Sequence, residues 1–147
     1  MHMNIILGLP TMVVCLFLQS LLLMIALHYY KDHERLVNDA SFWSSMIVIN
    51  VVMLLLLIGN LAQIAIWGLL FMLLDEFQQF DTAFYHSAVN FATLGYGDIV
   101  MSPERRLLGP LEAVNGVLMI GLSTAVLMAV LQDSWRKTMR ARSQGED

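Results

Sequence analysis

Thr93-Leu94-Gly95-Tyr96-Gly97-Asp98 is the stretch on which the fold turns. It lies between two long apolar segments, residues 41–74 and 107–132. Immediately before it, residues 81–92 have the length of a short helix that cannot cross a bilayer. A short helix followed by Gly-Tyr-Gly between two spans predicts a re-entrant loop. Irregular backbone is tolerated at membrane depth only where protein buries it or where it lines an aqueous path. Two glycines around one tyrosine supply backbone freedom that other residues lack. That freedom lets successive carbonyls point the same way, which an ordinary strand forbids. A ring of carbonyls so aligned can replace the water around a dehydrated cation.

Working outward, residues 40–74 carry no charge. As one helix they extend about 52 Å at 1.5 Å per residue, more than a ~30 Å hydrocarbon core, so tilt or an interfacial first turn must absorb the excess. Ser41 is placed to cap this helix and Trp43 to anchor it at the interface. Asn50, Asn60 and Gln63 are expected to face other helices, since amides in a span usually find interhelical partners. Residues 75–81 form an acidic connector, and Asp81 or Thr82 is expected to cap the short helix over 82–92. Tyr85 and His86 lie on that helix, with His86 read as a packed residue. Beyond the loop, Ser102-Pro103-Glu104 reads as a helix start. A helix runs from there to about Gln132, with an expected kink at Gly109-Pro110. Glu112 is its one charge between Arg106 and Asp133. It either serves a function inside the span or, lying only a few turns from the outer end, reaches water or bonds the short helix. Gly116 and Gly121 are candidate hinges, with close packing the alternative for at least one of them.

Residues 4–30 contain no Asp, Glu, Lys or Arg, and a span needs about 20 residues. No Lys or Arg precedes Lys31, so the basic start of a cleaved secretory signal is missing and a retained first span is expected. Pro10 lies in its first turns, where proline is tolerated best. Gln19 and His28 are its polar interruptions. Residues 31–40 read as a solvated loop and residues 133–147 as a short basic tail.

The chain has 147 residues, 58% hydrophobic and 14% charged, with a mean hydropathy of +0.67. Soluble domains carry about 25% charged residues, so the composition is that of a membrane protein bound to a lipid bilayer. No basic surface suggests nucleic acid. The one cysteine, Cys15, cannot form an intramolecular disulfide and reads as a small packing residue. His2, His28, His33 and His86 form no known ligand spacing, no nucleophile–base pattern appears, and an enzyme is not expected. No span carries Lys or Arg at every third position, as a voltage sensor does.

The motif at 93–98 resembles the selectivity-filter signature of the potassium channel superfamily, usually Thr-Val-Gly-Tyr-Gly-Asp. The resemblance is clearest over residues 67–132, and the whole chain is similar to small bacterial three-span members with one extra helix at the front. It implies an all-α membrane fold: an extra first helix at 1–30, a cytoplasmic loop at 31–40, and a two-helix pore domain at 41–132. That domain would hold a pore helix at 82–92 and a filter at 93–98, with a cytoplasmic tail at 133–147. It implies potassium ions bound by the carbonyls of Thr93, Leu94, Gly95 and Tyr96, with the Thr93 hydroxyl closing the inner end and Gly97 completing the turn to Asp98. It also implies that Tyr85 hydrogen-bonds Asp98, and that no cofactor is needed beyond the permeant ion. This chain departs from the pattern in three places. Leu94 replaces valine or isoleucine, Ala92 stands where many members have threonine, and Val89 where some have glutamate.

One chain supplies one loop, and a closed ring needs four, so a homotetramer is expected. A loop entered from outside puts the N-terminus outside and the C-terminus in the cytoplasm of a multi-pass plasma-membrane protein. On that topology Lys31, Arg35, Arg136, Lys137, Arg140 and Arg142 are inside, against Arg105 and Arg106 outside. This agrees with the positive-inside rule. The leading function is passive potassium-selective conduction, and the alternatives are a less selective monovalent cation channel and a non-conducting subunit that regulates a partner channel.

Overall fold

The computed structural model describes residues 2–33 and 42–144. Four helices follow in order: α1 His2–Asp32, α2 Phe42–Leu73, α3 Phe80–Phe91 and α4 Leu108–Gln144. Among the described residues three helices are long and apolar enough to cross a membrane, His2–Asp32, Trp43–Leu73 and Leu108–Arg140. The three-span, all-helical fold is therefore as expected. Ser41 and most of the 31–40 loop lie outside the described residues.

The boundaries differ from the expected ones for local reasons. α3 begins at Phe80 with Gln79 in the N-cap position and no side-chain cap. Asp81 and Thr82 fall inside the first turn, where Asp81 Oδ1 accepts the Thr82 N–H at 2.8 Å. The carboxylate thus answers a first-turn donor and places negative charge at a helix N-terminus. Ser102 does not open α4. Its carbonyl accepts the N–H groups of Arg105 and Arg106, both at 3.0 Å, which closes a separate turn before α4 starts at Leu108. Pro110 consequently sits in the first turn of α4, where a missing N–H costs least. Beyond Gln132 the helix continues to Gln144, so the expected tail is largely an extension of α4. Pro10 lies within α1, further from its start than expected because the helix begins at His2.

The chain divides into two compact units. The first gathers Met1–Gln19 and Gly59–Gly121. Cys15, Trp67, Phe71 and Leu108 form one buried cluster within it, and Ile64, Phe91 and Met119 another. The second gathers Ser20–Ile58 and Leu122–Asp147. Its core is Ala26, Tyr30, Val48, Val52, Leu56 and Val130. Tyr30 there donates to Asp133 Oδ2 at 3.0 Å.

The intramembrane amides behave unequally. Gln63 Nε2 donates to Gln19 Oε1 at 2.6 Å, and both side chains are buried, an interhelical pair of the expected kind. Asn50 is exposed and returns its amide to the Met46 carbonyl of its own helix at 2.8 Å, contrary to the expectation that it faces another helix. One turn of back-bonding satisfies the donor without a partner helix.

Candidate functional site

All residues of the site belong to the first unit. α3 ends in a Schellman motif. Thr93 N–H bonds the Asn90 carbonyl at 2.8 Å and Leu94 N–H the Val89 carbonyl at 2.9 Å, which is the paired pattern of such a helix end. The residue after the cap must then turn left-handed, and here it is Thr93, with φ 59°. Glycine usually takes this place, and a β-branched residue there is strained. Gly95 follows at φ 58° and Gly97 at φ 74°. Positive φ thus recurs at every second residue from 93 to 97. Leu94 and Tyr96 between them remain exposed in the single chain, at 54% and 65%. Ala92, from which the run begins, is exposed as well, and Val89 one turn back is buried.

The chain leaving this run is tied back to α3. Tyr85 donates to Asp98 Oδ2 at 2.7 Å, and Asp98 Oδ1 accepts the Ile99 N–H at 3.0 Å. The Tyr85 bond is the main reason that the Asp98 carboxyl is held below the usual carboxylate range. The same bond holds the Tyr85 hydroxyl above the usual phenol value. His86 is buried, with Nδ1 at 3.0 Å from the Ile99 carbonyl and Nε2 at 2.9 Å from Asn90 Nδ2. A carbonyl only accepts, so Nδ1 carries the proton and Nε2 accepts from the amide. Burial, the largest influence, lowers the basicity of this ring. His86 is thus a packed residue that holds the outgoing segment, as expected.

Two ties were not visible in the sequence. The first is Glu76. α2 also ends in a Schellman motif, with Asp75 at φ 58°, Asp75 N–H on the Met72 carbonyl and Glu76 N–H on the Phe71 carbonyl, both at 3.0 Å. The turn delivers Glu76 to Ser102, where Oε2 accepts the backbone N–H at 2.8 Å and Oε1 the hydroxyl at 2.7 Å. Glu76 therefore clamps the segment that leaves the 93–98 run. The only sequence signal was an acidic residue after an apolar helix. The second is Asn4 near the start of α1, which donates to the Glu104 carbonyl at 2.7 Å.

The opposite side of α3 is wedged between α2 and α4. Ser87 is buried and bonds both the Ile64 carbonyl of α2 and the Glu112 carboxyl of α4. Glu112 thus takes the second of its two expected roles, bonding the short helix. Gly116 allows the closest approach: a Cβ there would collide with the Phe91 carbonyl, and Phe91 is the last residue of α3. Gly121 has nothing within 4 Å of where a Cβ would stand. Close packing is therefore the role of Gly116, and only Gly121 retains the freedom of a candidate hinge.

Residues 58–133 match the family model described as an ion channel, just over half of the chain. No curated protein and no solved structure matches.

Proposed function

The chain belongs to the ion channel family, within the pore domain of the potassium channel superfamily, and from that premise we propose that it is a homotetrameric, potassium-selective channel. It conducts passively across the plasma membrane, with its N-terminus outside and its C-terminus in the cytoplasm. The observation that carries this reading is the recurrence of positive φ at Thr93, Gly95 and Gly97. Residues of positive φ alternating with residues of negative φ rotate each peptide plane back to the same side. The carbonyls of Thr93, Leu94, Gly95 and Tyr96 then form one file of oxygens. Four such files in a ring replace the hydration shell of a potassium ion. Gly97 carries the chain over to Asp98, and the Tyr85, His86 and Glu76 ties hold the file in place.

Assembly is supported by what the single chain leaves uncovered. Leu94 and Tyr96 stand exposed beside the file, and one file cannot enclose an ion. Neighbouring copies around a fourfold axis would cover both side chains and complete the ring. Native mass measurement under mild extraction, followed by flux from the purified protein in liposomes, tests the proposal. A tetramer passing potassium in preference to sodium supports it. A tetramer passing both equally identifies a less selective cation channel. A protein with no flux is a non-conducting subunit.

A further inference from the structure

Ser87 poses a question of proton counting. Its hydroxyl oxygen lies 2.7 Å from the Ile64 carbonyl and also within hydrogen-bond contact of Glu112 Oε1. A serine hydroxyl has one proton to give, and a backbone carbonyl can only accept. If Ser87 donates to Ile64, the contact with Glu112 needs a second proton, which must come from the carboxyl. If Ser87 instead donates to an ionised Glu112, two oxygens face each other across 2.7 Å with no proton between them. Only a protonated Glu112 satisfies both contacts.

The surroundings agree. Glu112 is 0% exposed, and its second oxygen, Oε2, has no partner. A buried carboxylate needs several donors or a cation. No Lys or Arg occurs in α1 before Lys31, anywhere in α2 or α3, or in α4 before Arg136. Beside it stand Cys15 of α1, a free thiol, and Asn90 of α3, whose amide also bonds His86 Nε2. α2 brings the Ile64 carbonyl, an acceptor, to Ser87.

We propose that Glu112 is a neutral carboxylic acid that donates to Ser87 and so positions α3 against α2 and α4. The chain of bonds runs from the Glu112 carboxyl to Ser87 Oγ, and from Ser87 to the Ile64 carbonyl. It joins three helices at one point, one turn before α3 gives way to the 93–98 run. Glu112 is a positioning residue and touches no ion. Its effect on selectivity rests on the filter reading above, whereas its protonation does not.

The experiment compares wild type, Glu112→Gln and Glu112→Val, full length in liposomes. Infrared spectroscopy at neutral pH reads the carbonyl stretch of a buried carboxylic acid, and flux reads the potassium over sodium ratio. The wild type is expected to show the carboxylic-acid band, and Glu112→Gln to lack it. Gln retains an N–H donor for Ser87, so its flux ratio should match wild type. Val has no donor, and its ratio should fall about tenfold, as for one lost buried hydrogen bond. Identical wild-type and Gln spectra would show that Glu112 is ionised and overturn the proposal. A Gln variant as impaired as Val would do the same. If Val fails to assemble, the comparison of wild type with Gln still decides. A wild type without selective flux would overturn the channel reading, while the infrared band would still report the proton.

Discussion

Gly116→Ala should damage the channel out of proportion to one methyl group. The added Cβ meets three backbone atoms of Phe91, namely O, C and Cα. Backbone cannot rotate aside as a side chain can, and Phe91 is itself buried at 1% exposure. Relief needs the last turn of α3 to withdraw by roughly 1.5–2 Å, since non-bonded atoms prefer roughly 3.5–4 Å. That turn holds the Thr93 and Leu94 N–H bonds of 2.8 and 2.9 Å from which the 93–98 run starts. Overpacking costs typically 1–3 kcal/mol, and replacing glycine in a helix returns roughly 0.5–1 kcal/mol. The net is about 0–2.5 kcal/mol per chain, and a clash with backbone rather than a side chain puts Gly116→Ala in the upper part of that range. Gly121→Ala is the control: it meets nothing within 4 Å and receives the helix gain alone. The assay is the thermal midpoint of the purified protein together with its potassium over sodium flux ratio. Gly116→Ala should lower both, while Gly121→Ala leaves the ratio unchanged and holds or raises the midpoint. Equal responses of the two variants would refute the wedge.

Three further outcomes follow from the same geometry. Gly95→Ala and Gly97→Ala should each abolish or degrade potassium selectivity. Nothing lies within 4 Å of either added Cβ, so the cost is the left-handed backbone alone, roughly 1–2 kcal/mol per residue, and reversal potentials read it. Tyr85→Phe should make the channel more sensitive to external acid. The Tyr85 bond depresses the Asp98 value, so its contribution is present above the ordinary carboxylate range and is lost as pH falls through the depressed value. Without the hydroxyl, Asp98 protonates at a higher pH, and flux against external pH should show its fall displaced upward. Gln19→Leu should weaken the docking of α1 by about 0.6 kcal/mol, at most ~1.7, because it leaves Gln63 Nε2 without its acceptor. Adding Gln63→Leu should restore stability, which thermal melting of the single and double variants would reveal.

The architecture was legible because membrane spans announce themselves by long uncharged runs and the loop by its glycines. The Tyr85–Asp98 bond followed from the family resemblance, and an interhelical partner for Gln63 from the cost of an amide in lipid. Helix ends were less legible. Ser102 and Pro103 have the composition of a helix start, but the Ser102 carbonyl closes a turn of its own with Arg105 and Arg106. Thr93 gave no local sign of a left-handed backbone, since β-branched residues disfavour it; the Schellman ending of α3 imposes it from outside the residue. Glu76 looked like one of several acids in the 75–81 connector, and a contact across 26 positions distinguishes it. Gly116 and Gly121 look alike in sequence, and proximity to Phe91 separates them.

The central claim is that the carbonyl file of residues 93–96 selects potassium. Its most direct test is the reversal potential of the purified, reconstituted protein under opposed potassium and sodium gradients. A reversal near the potassium equilibrium potential, moved toward zero by Gly95→Ala, is the predicted result. A wild-type reversal at zero, or an unmoved reversal in the variant, would contradict it.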